Sequence, residues 1–308
     1  MAILITGGTG FLGKALTKTF LEKGHRVYSL SRHPMAPAEN LIPLEGDILL
    51  PNLGLETVPG DIDAVIHSAA LLSFKPGDKD RLYETNCRGT QNVISWMEIH
   101  GIGRLYHVST AYLFGQNHYE ISKKMAEEVV NGNPEIKPTI FRPGIIIGDS
   151  RVEGLPPVSG FYVGIRACDQ AKRWFERGTK LPPLKFKIRI AGNPHGRLNL
   201  IPVDIVAKNI VRLVEQDVAW FYPRSTYYLT HPMPPTLKDL EKPISLATGA
   251  DVEFLPDFAP NAGDRLVARL ITDLSPYLYG HDLPSDIACR RLTTTFLRST
   301  AEAFLNKS

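Results

Sequence analysis

Two hydroxyls, a phenol and an ammonium fall within one short stretch: Ser109 and Thr110, then Tyr119 and Lys123. Tyr and Lys four residues apart share one face of a helix. A cation held near a phenol favours the phenolate, so Tyr119 becomes able to exchange a proton near neutrality despite an ordinary pKa near about 10. Thr110 is then placed to hold a carbonyl oxygen while hydride arrives from a cofactor. Such a pair on its own is equally the solvated surface of any helix. The elements around it decide what it is.

Ala2-Ile3-Leu4-Ile5-Thr6 is an apolar run suited to a strand buried on both faces. It empties into Gly7-Gly8-Thr9-Gly10-Phe11-Leu12-Gly13, and a helical pattern follows through Leu12, Leu16, Phe20 and Leu21. Gly7 suits a tight turn, Gly10 lets backbone approach a pyrophosphate, and Gly13 lets the helix close on the strand. The helix start adds free N–H groups and a favourable dipole for phosphate. Strand before and helix after point to a dinucleotide rather than to a plain glycine turn. The second strand, Gly24 to Leu30, runs into Ser31 and Arg32. An acid here would bind the adenine ribose hydroxyls. A hydroxyl and a guanidinium suit a 2′-phosphate instead, and so NADP(H).

Leu41 to Leu44 is a third strand, leading into Gly46-Asp47-Ile48, where Asp47 either accepts from the adenine amino group or caps the next turn. Asp63 to His67 is a fourth, ending in the small residues Ser68-Ala69-Ala70. The spacing predicts one long crossover helix from Leu82 to Met97, carrying Asn86, Gly89 and Thr90 and closed by Gly101. Arg104 to Val108 is the fifth strand, the one that ends at Ser109 and Thr110. Lys137 to Phe141 is a sixth, broken by Arg142-Pro143-Gly144. Alternation of this kind gives an α/β fold with a doubly wound, mostly parallel Rossmann sheet. Ligands lie beyond the carboxyl ends of such strands, where Gly7, Arg32, Ala69, Thr110 and Pro143 all fall.

After Gly148 the alternation breaks. Gly154-Leu155-Pro156-Pro157 and Lys180-Leu181-Pro182-Pro183 bracket a helix from about Phe161 to Arg177. Strands are predicted at Phe186 to Ile190 and Leu198 to Ile201. A helix from Asp204 to Val214 and a strand from Tyr227 to Thr230 should return to the main sheet. Proline-interrupted helices and a short strand, Val252 to Leu255, follow. The expected division is 1–150 with 198–230 as the dinucleotide-binding domain, and 151–197 with 231–308 as a smaller C-terminal α+β substrate lobe.

Composition bounds the rest. The 308 residues carry a net charge of +3, which gives no reason to expect nucleic acid. Cys87, Cys168 and Cys289 are far apart and lack metal-ligand spacing, as in a cytoplasmic chain with reduced thiols. No signal peptide is visible, and no apolar run approaches the roughly 18 residues a membrane span needs. Lys172, Arg173, Arg177, Lys180, Lys185, Lys187, Arg189 and Arg197, with Trp174 and Phe175 among them, form the most basic stretch. It is either a landing surface for an acidic carrier or coenzyme A phosphates, or a solvated face with its aromatics packed inward. His67, His107 and His118 fall near the site by topology and are expected to be structural or lining residues. No metal motif, Gly-x-Ser-x-Gly elbow or carboxylate pair competes.

With these pieces assembled, the chain resembles an extended short-chain dehydrogenase/reductase over its whole length. Thr6 to Gly13, Gly46-Asp47-Ile48, His67 to Ala70, Asn86 to Thr90, Tyr119 with Lys123, and Arg142-Pro143 carry the resemblance. It implies catalysis by Thr110, Tyr119 and Lys123. It also implies NADP(H) contacts along Gly7, Thr9, Gly10, Phe11, Leu12 and Gly13, at Ser31, Arg32, Asp47 and Ile48, and at Ser68, Ala69, Ala70 and Asn86. Ser109, Lys123, Pro143, Gly144 and Ile145 complete the expected cofactor set. The stretches His107 to Tyr112, Tyr119 to Lys123, Phe141 to Ser150, Leu198 to Asp204 and Tyr228 to Pro232 are similar to the thioester-reductase and fatty-acyl reductase (male-sterility type) branch. That likeness implies an acyl thioester on coenzyme A or a carrier protein, reduced to an aldehyde and on to an alcohol. Two departures stand out: the loop between Thr110 and Tyr119 is short for that branch, and any carrier must arrive in trans. The expected assembly is a monomer or homodimer. A sugar-nucleotide epimerase/dehydratase with the same triad, and a non-catalytic NADP-binding regulator, are the competing readings.

Overall fold

Every residue of Ala2–Thr6 (β1) is buried, as a short apolar run with no polar face requires. The computed structural model describes residues 1–151, 160–178, 186–219 and 225–306. After β1 come α1 (Phe11–Glu22), β2 (Arg26–Ser31), β3 (Leu41–Glu45), β4 (Ala64–His67), α2 (Lys79–Tyr83), α3 (Gly89–Ile99), β5 (Arg104–Val108), α4 (His118–Asn131) and β6 (Lys137–Pro143). Next are β7 (Ile145–Ile147), α5 (Phe161–Gly178), β8 (Lys187–Ala191), β9 (Leu200–Pro202), α6 (Val203–Ala219) and β10 (Thr226–Leu229). The chain closes with α7 (Leu237–Thr248), β11 (Asp251–Leu255), α8 (Ala262–Leu270) and α9 (Thr294–Leu305).

Two compact units emerge. The first comprises Met1–Pro143 with Val203–Leu229. Its seven-stranded sheet runs β10-β6-β5-β4-β1-β2-β3, and each neighbouring pair is parallel. The strand order reverses between β1 and β4, which puts the glycine turn after β1 at the switch point of a doubly wound sheet. Leu4, Leu30, Val65, Val93, Ile94, Met97 and Leu105 are fully or almost fully buried in one cluster on the face covered by α3. On the sheet's other face α6 packs against α1, and the Tyr106 phenol donates to Asp217 of α6 at 2.7 Å.

The crossover helix departs from the single helix predicted. It opens earlier, at Lys79, and Glu84–Arg88 makes a π turn between α2 and α3. The reason lies in the polar side chains that the turn directs inward. Asn86 and Cys87 are both buried there, and Asn86 bonds to the loop after β4 and to α4. Hydrophobic spacing alone gives no sign of it.

The second unit comprises Gly144–Pro202 with Thr230–Ser308. The parallel pair β8–β11 packs against α7 and α8, and β7 pairs in parallel with β9. The strand predicted at Leu198 to Ile201 starts two residues later and stays in this unit, because Ile145–Ile147 supplies its partner. The first unit accordingly ends at Pro143 rather than at 150 and resumes at Val203 rather than at 198. Asn199 and His231 exchange bonds, Asn199 Nδ2 to His231 O at 3.0 Å and His231 N to Asn199 Oδ1 at 2.8 Å. Two stretches singled out in the sequence thus meet here.

Arg173 pairs with Asp169, Lys187 with Glu253 and Arg189 with the buried Asp264, each at 2.7 Å. Much of the basic stretch is therefore matched by neighbouring acids. Phe175 stacks on Phe186 with ring centres 4.5 Å apart, whereas Trp174 is 55% exposed, so one of the two aromatics packs inward and the other does not. Lys180, Lys185 and the two Pro-Pro segments lie outside the described residues. No helix among the described residues is long and apolar enough to cross a membrane.

Candidate active site

All three proposed catalytic residues belong to the first unit, Thr110 just past β5 and Tyr119 and Lys123 in the first turns of α4. Asn117 starts that helix by accepting from Glu120 N at 2.9 Å, the arrangement expected of an Asn N-cap. Lys123 is 3% exposed, and its Nζ donates to Val108 O at 2.6 Å, tying the helix to the end of β5. Burial lowers its pKa to about 8, opposed by the nearby Glu127 and Cys87.

Tyr119 does not behave as the sequence suggests. Burial, followed by the charge of Glu120, pushes its phenol above the ordinary range. The Lys123 ammonium is held on the Val108 carbonyl. The softened phenol expected from the Tyr–Lys spacing is thus absent from the free protein. The Tyr119 ring meets Phe74 edge-on, 5.9 Å between centres, which fixes its plane. Thr110 is buried, and its Oγ1 accepts from Tyr112 N at 3.2 Å, leaving the hydroxyl proton available. Ser109 Oγ is buried with no hydrogen-bond partner among the described residues.

The glycine turn has the shape a pyrophosphate needs. Gly7 has φ +69°, and a Cβ there would come within 2.8 Å of Ala69 Cα. A Cβ on Gly13 would collide with the Gly7 carbonyl oxygen, so the start of α1 can lie on the turn only without a side chain. Helix α1 opens at Gly10 with no side-chain cap, which leaves the amides of its first turn for an anion. Thr9 sits in that turn, and Phe11 and Leu12 begin the helix. At the end of β2, Ser29 and Ser31 are buried hydroxyls without a partner among the described residues. Arg32 follows, exposed. A cradle closed to side chains, an uncapped helix start and orphaned hydroxyls together fit a dinucleotide.

Other expected contacts fall differently. The Asp47 carboxylate accepts from Leu49 N at 3.0 Å, as a turn cap does. Ile48 is buried, and its Cδ1 lies where a Cβ on Gly89 would stand. The Asn86 carboxamide accepts from Leu71 N at 2.8 Å and gives its two N–H groups to Leu71 O at 3.0 Å and Ser122 Oγ at 2.9 Å. It clamps the loop carrying Ser68, Ala69 and Ala70 to α4. Pro143 O accepts from Ala111 N at 2.8 Å and anchors the start of the catalytic loop. Gly144 and Ile145 begin the second unit, where Ile145 N bonds Asn199 O.

Sequence reasoning missed the polar chain beneath the site. Thr6 Oγ1 accepts from Ser68 N and Ala69 N, both at 3.2 Å, and so directs its own proton to His67 Nδ1 at 2.8 Å. His67 Nε2 meets Thr90 Oγ1 at 2.9 Å, and Thr90 in turn donates to Asn86 O at 2.6 Å. These directions fix His67 as the neutral Nε2–H tautomer. Burial, then the Lys123 charge, lowers its pKa to about 3. His107 lies against His67, ring centres 5.4 Å apart, buried and with neither ring nitrogen paired among the described residues.

Also missed was the device that seats α4. Arg142 grips Glu127 with Nε at 3.0 Å from Oε1 and Nη2 on Oε2, and its Nη1 donates to the Tyr228 phenol at 2.6 Å. Its guanidinium also lies over the Tyr228 ring, 5.3 Å from the centre. The register of β6 and β10, which sets Tyr228 beside Arg142, makes this possible. The sequence marked Arg142 only as part of the Arg142-Pro143 motif and gave no sign of its partners.

Comparison with known proteins agrees with this fold. The NAD dependent epimerase/dehydratase family model matches residues 3–151, and the male sterility protein model matches residues 114–210. Together the two matches, which run over residues 3–210, support a place in the extended short-chain dehydrogenase/reductase family. It is 37% identical to a 2-alkyl-3-oxoalkanoate reductase of Stenotrophomonas maltophilia over 134 residues, 43% of this chain and 40% of that protein. It is 25% identical to a linear gramicidin synthase polypeptide of Brevibacillus parabrevis over 275 residues, 78% of this chain but 5% of that protein. In fold it is similar to a thiolation-reductase di-domain from an archaeal non-ribosomal peptide synthetase. There the TM-score is 0.69 at 17% identity, covering 99% of this chain and 90% of that one.

Proposed function

We propose that this chain is an NADPH-dependent reductase of an acyl thioester held on coenzyme A or a carrier protein, forming an aldehyde and, in a second turnover, an alcohol. The observation that carries the reading is a half-buried phenol at Tyr119, its pKa held above the ordinary range, one helical turn from the anchored ammonium of Lys123. A protonated phenol is the state from which a carbonyl oxygen receives a proton, so the raised pKa of Tyr119 favours reduction. The thioester is supported by the male sterility match, which includes Tyr119 and Lys123, and by the long alignment with a gramicidin synthase.

When bound, the nicotinamide supplies the hydride. Thr110 and Tyr119 donate hydrogen bonds to the substrate oxygen and stabilise the charge that develops there. Tyr119 then gives its proton to that oxygen. The ammonium of Lys123 stabilises the phenolate left behind and holds the nicotinamide ribose. In the resulting hemithioacetal the carbon–sulfur bond breaks, the hydroxyl proton passes to sulfur, and thiol and aldehyde separate.

The direct test is a panel of acyl-CoA and acyl-pantetheine thioesters beside aldehydes and ketones, followed by loss of NADPH absorbance with product analysis. Aldehyde or alcohol formed from a thioester supports the reading. Turnover of ketones alone refutes the thioester. The epimerase/dehydratase match to residues 3–151 favours a second reading, a redox-neutral reaction on a sugar nucleotide. Sugar-nucleotide conversion with no net loss of reduced nicotinamide would establish it.

Arg32 and the orphaned hydroxyl of Ser31 support NADPH over NADH. Arg32→Ala is expected to weaken NADPH binding by roughly tenfold or more, the scale of a lost charge-assisted hydrogen bond, and to leave NADH binding unchanged. Titration of nicotinamide fluorescence measures both. Equal loss for the two cofactors would remove the assignment.

A further inference from the structure

Lys123 and Glu127 stand four residues apart on α4, the spacing at which an ammonium and a carboxylate pair along a helix. Both are buried, at 3% and 5% exposure, and attraction between them is screened little. Yet they do not pair. Lys123 Nζ is on Val108 O at 2.6 Å, and both Glu127 oxygens are taken by Arg142 from the neighbouring strand. We infer that Arg142 is a positioning residue that withholds the Glu127 carboxylate from Lys123, so that the ammonium stays at the end of β5, where cofactor and phenol need it. The inference rests on the proposed role of Lys123 and extends it to a residue outside the catalytic set.

The geometry supports a withholding role rather than a plain strut. The fork on Glu127 is bidentate, the form in which guanidinium and carboxylate hold each other most firmly. Arg142 is itself held from the other side by the phenol and ring face of Tyr228, so it has a fixed seat. The remaining groups around Lys123 cannot replace it as a partner for Glu127. Cys87 of the π turn gives its Sγ proton to Ser122 O, and His67 of β4 is engaged with Thr6 and Thr90. His107 of β5 is a buried imidazole kept neutral by its surroundings, and Tyr119 lies a turn away on α4 itself. Of the two lysines a turn before Glu127, Lys124 is exposed and solvated, so without Arg142 the cation buried with Glu127 on this helix is Lys123.

Arg142→Gln tests this, read by the titration of Lys123 and the Kd for NADPH. Lysine labelled with carbon-13 at Cε, assigned by the signal missing in Lys123→Arg, reports the titration by NMR. Wild-type Lys123 is expected to titrate near about 8. In Arg142→Gln an unmatched carboxylate one turn away should raise that value by about one unit or more. The NADPH Kd should rise roughly tenfold as the ammonium leaves its place. Adding Glu127→Gln should return both readings toward wild type, and Arg142→Lys should leave the titration low. A folded Arg142→Gln protein with both readings unchanged overturns the inference.

Should Arg142→Gln fail to fold, Glu127→Gln carries the test alone. With the competing carboxylate gone, Lys123 should titrate lower and the NADPH Kd should not rise. A raised Kd would mean that Glu127 merely braces α4, which overturns the inference. Neither reading uses substrate. An absence of thioester turnover would therefore sink the proposed reaction while leaving this result standing.

Discussion

Tyr119→Phe is expected to lower the hydride-transfer rate by about two to four orders of magnitude, the usual contribution of a positioned general acid. NADPH affinity should barely change. Phe keeps the ring that meets Phe74 edge-on and keeps the helix, so the loss is confined to one hydroxyl. In the wild type that hydroxyl is held protonated by burial and by the adjacent Glu120. Its proton neutralises the oxygen as hydride adds. Thr110 still donates a hydrogen bond, which explains why some rate should remain. Single-turnover kinetics on the thioester found in the screen give the measurement, with NADPH binding followed separately. A single-turnover rate near wild type would remove Tyr119 from the chemistry.

His67→Gln is expected to flatten the acid side of the stability curve. The unfolded chain binds a proton on this imidazole near about 6.5, whereas the folded chain holds it off until about 3. Between those values the unfolded state carries more protons, so stability falls as the pH drops through that window. The ceiling of the effect is on the order of 5 kcal/mol at the acid end, large against the whole stability of a domain. His107, buried and also held neutral, adds loss of the same sign. Glutamine keeps one acceptor for Thr6 and one donor for Thr90 while giving up the titration. Urea unfolding at a series of pH values compares the two proteins, and identical acid limbs would show that His67 is not a source of the lability. Lys123 acts at the other end. Its folded pKa near about 8 lies below the ordinary lysine value near about 10.4, so stability should rise across that interval.

Much of the first unit could be read from residue type and spacing. A run such as Ala2–Thr6 has no polar face, and glycines at 7, 10 and 13 between strand and helix leave little choice of turn. The strands and α4 were legible for the same reason: burial on a sheet and the face of a helix both impose a period. What stayed hidden was held by side-chain hydrogen bonds, which have no period. The π turn at Glu84–Arg88 answers to Asn86 reaching Leu71 and Ser122, residues distant in sequence. Ile145–Ile147 looked like part of a motif because its partner, Leu200–Pro202, lies more than fifty positions away. At the site, spacing placed Tyr119 and Lys123 together, but it carried no information on the Val108 carbonyl that takes the ammonium or on the burial that raises the phenol. Thr6, Thr90 and Arg142 stood in the motifs, but their bonds, and Glu127 altogether, went unread because each acts through another residue rather than on a ligand.

The chain passes between its two units three times, after Pro143, after Pro202 and after Leu229. Its order of synthesis therefore differs from its order of assembly. When Pro143 has left the ribosome, six strands are present, but β6 still offers an unpaired edge and α1 lacks the cover of α6. Both gaps are filled only by residues 203–229, made after the first segment of the second unit. Until then the nascent sheet exposes the kind of border that recruits foreign strands, and a gene fragment ending at Pro143 would make that condition permanent.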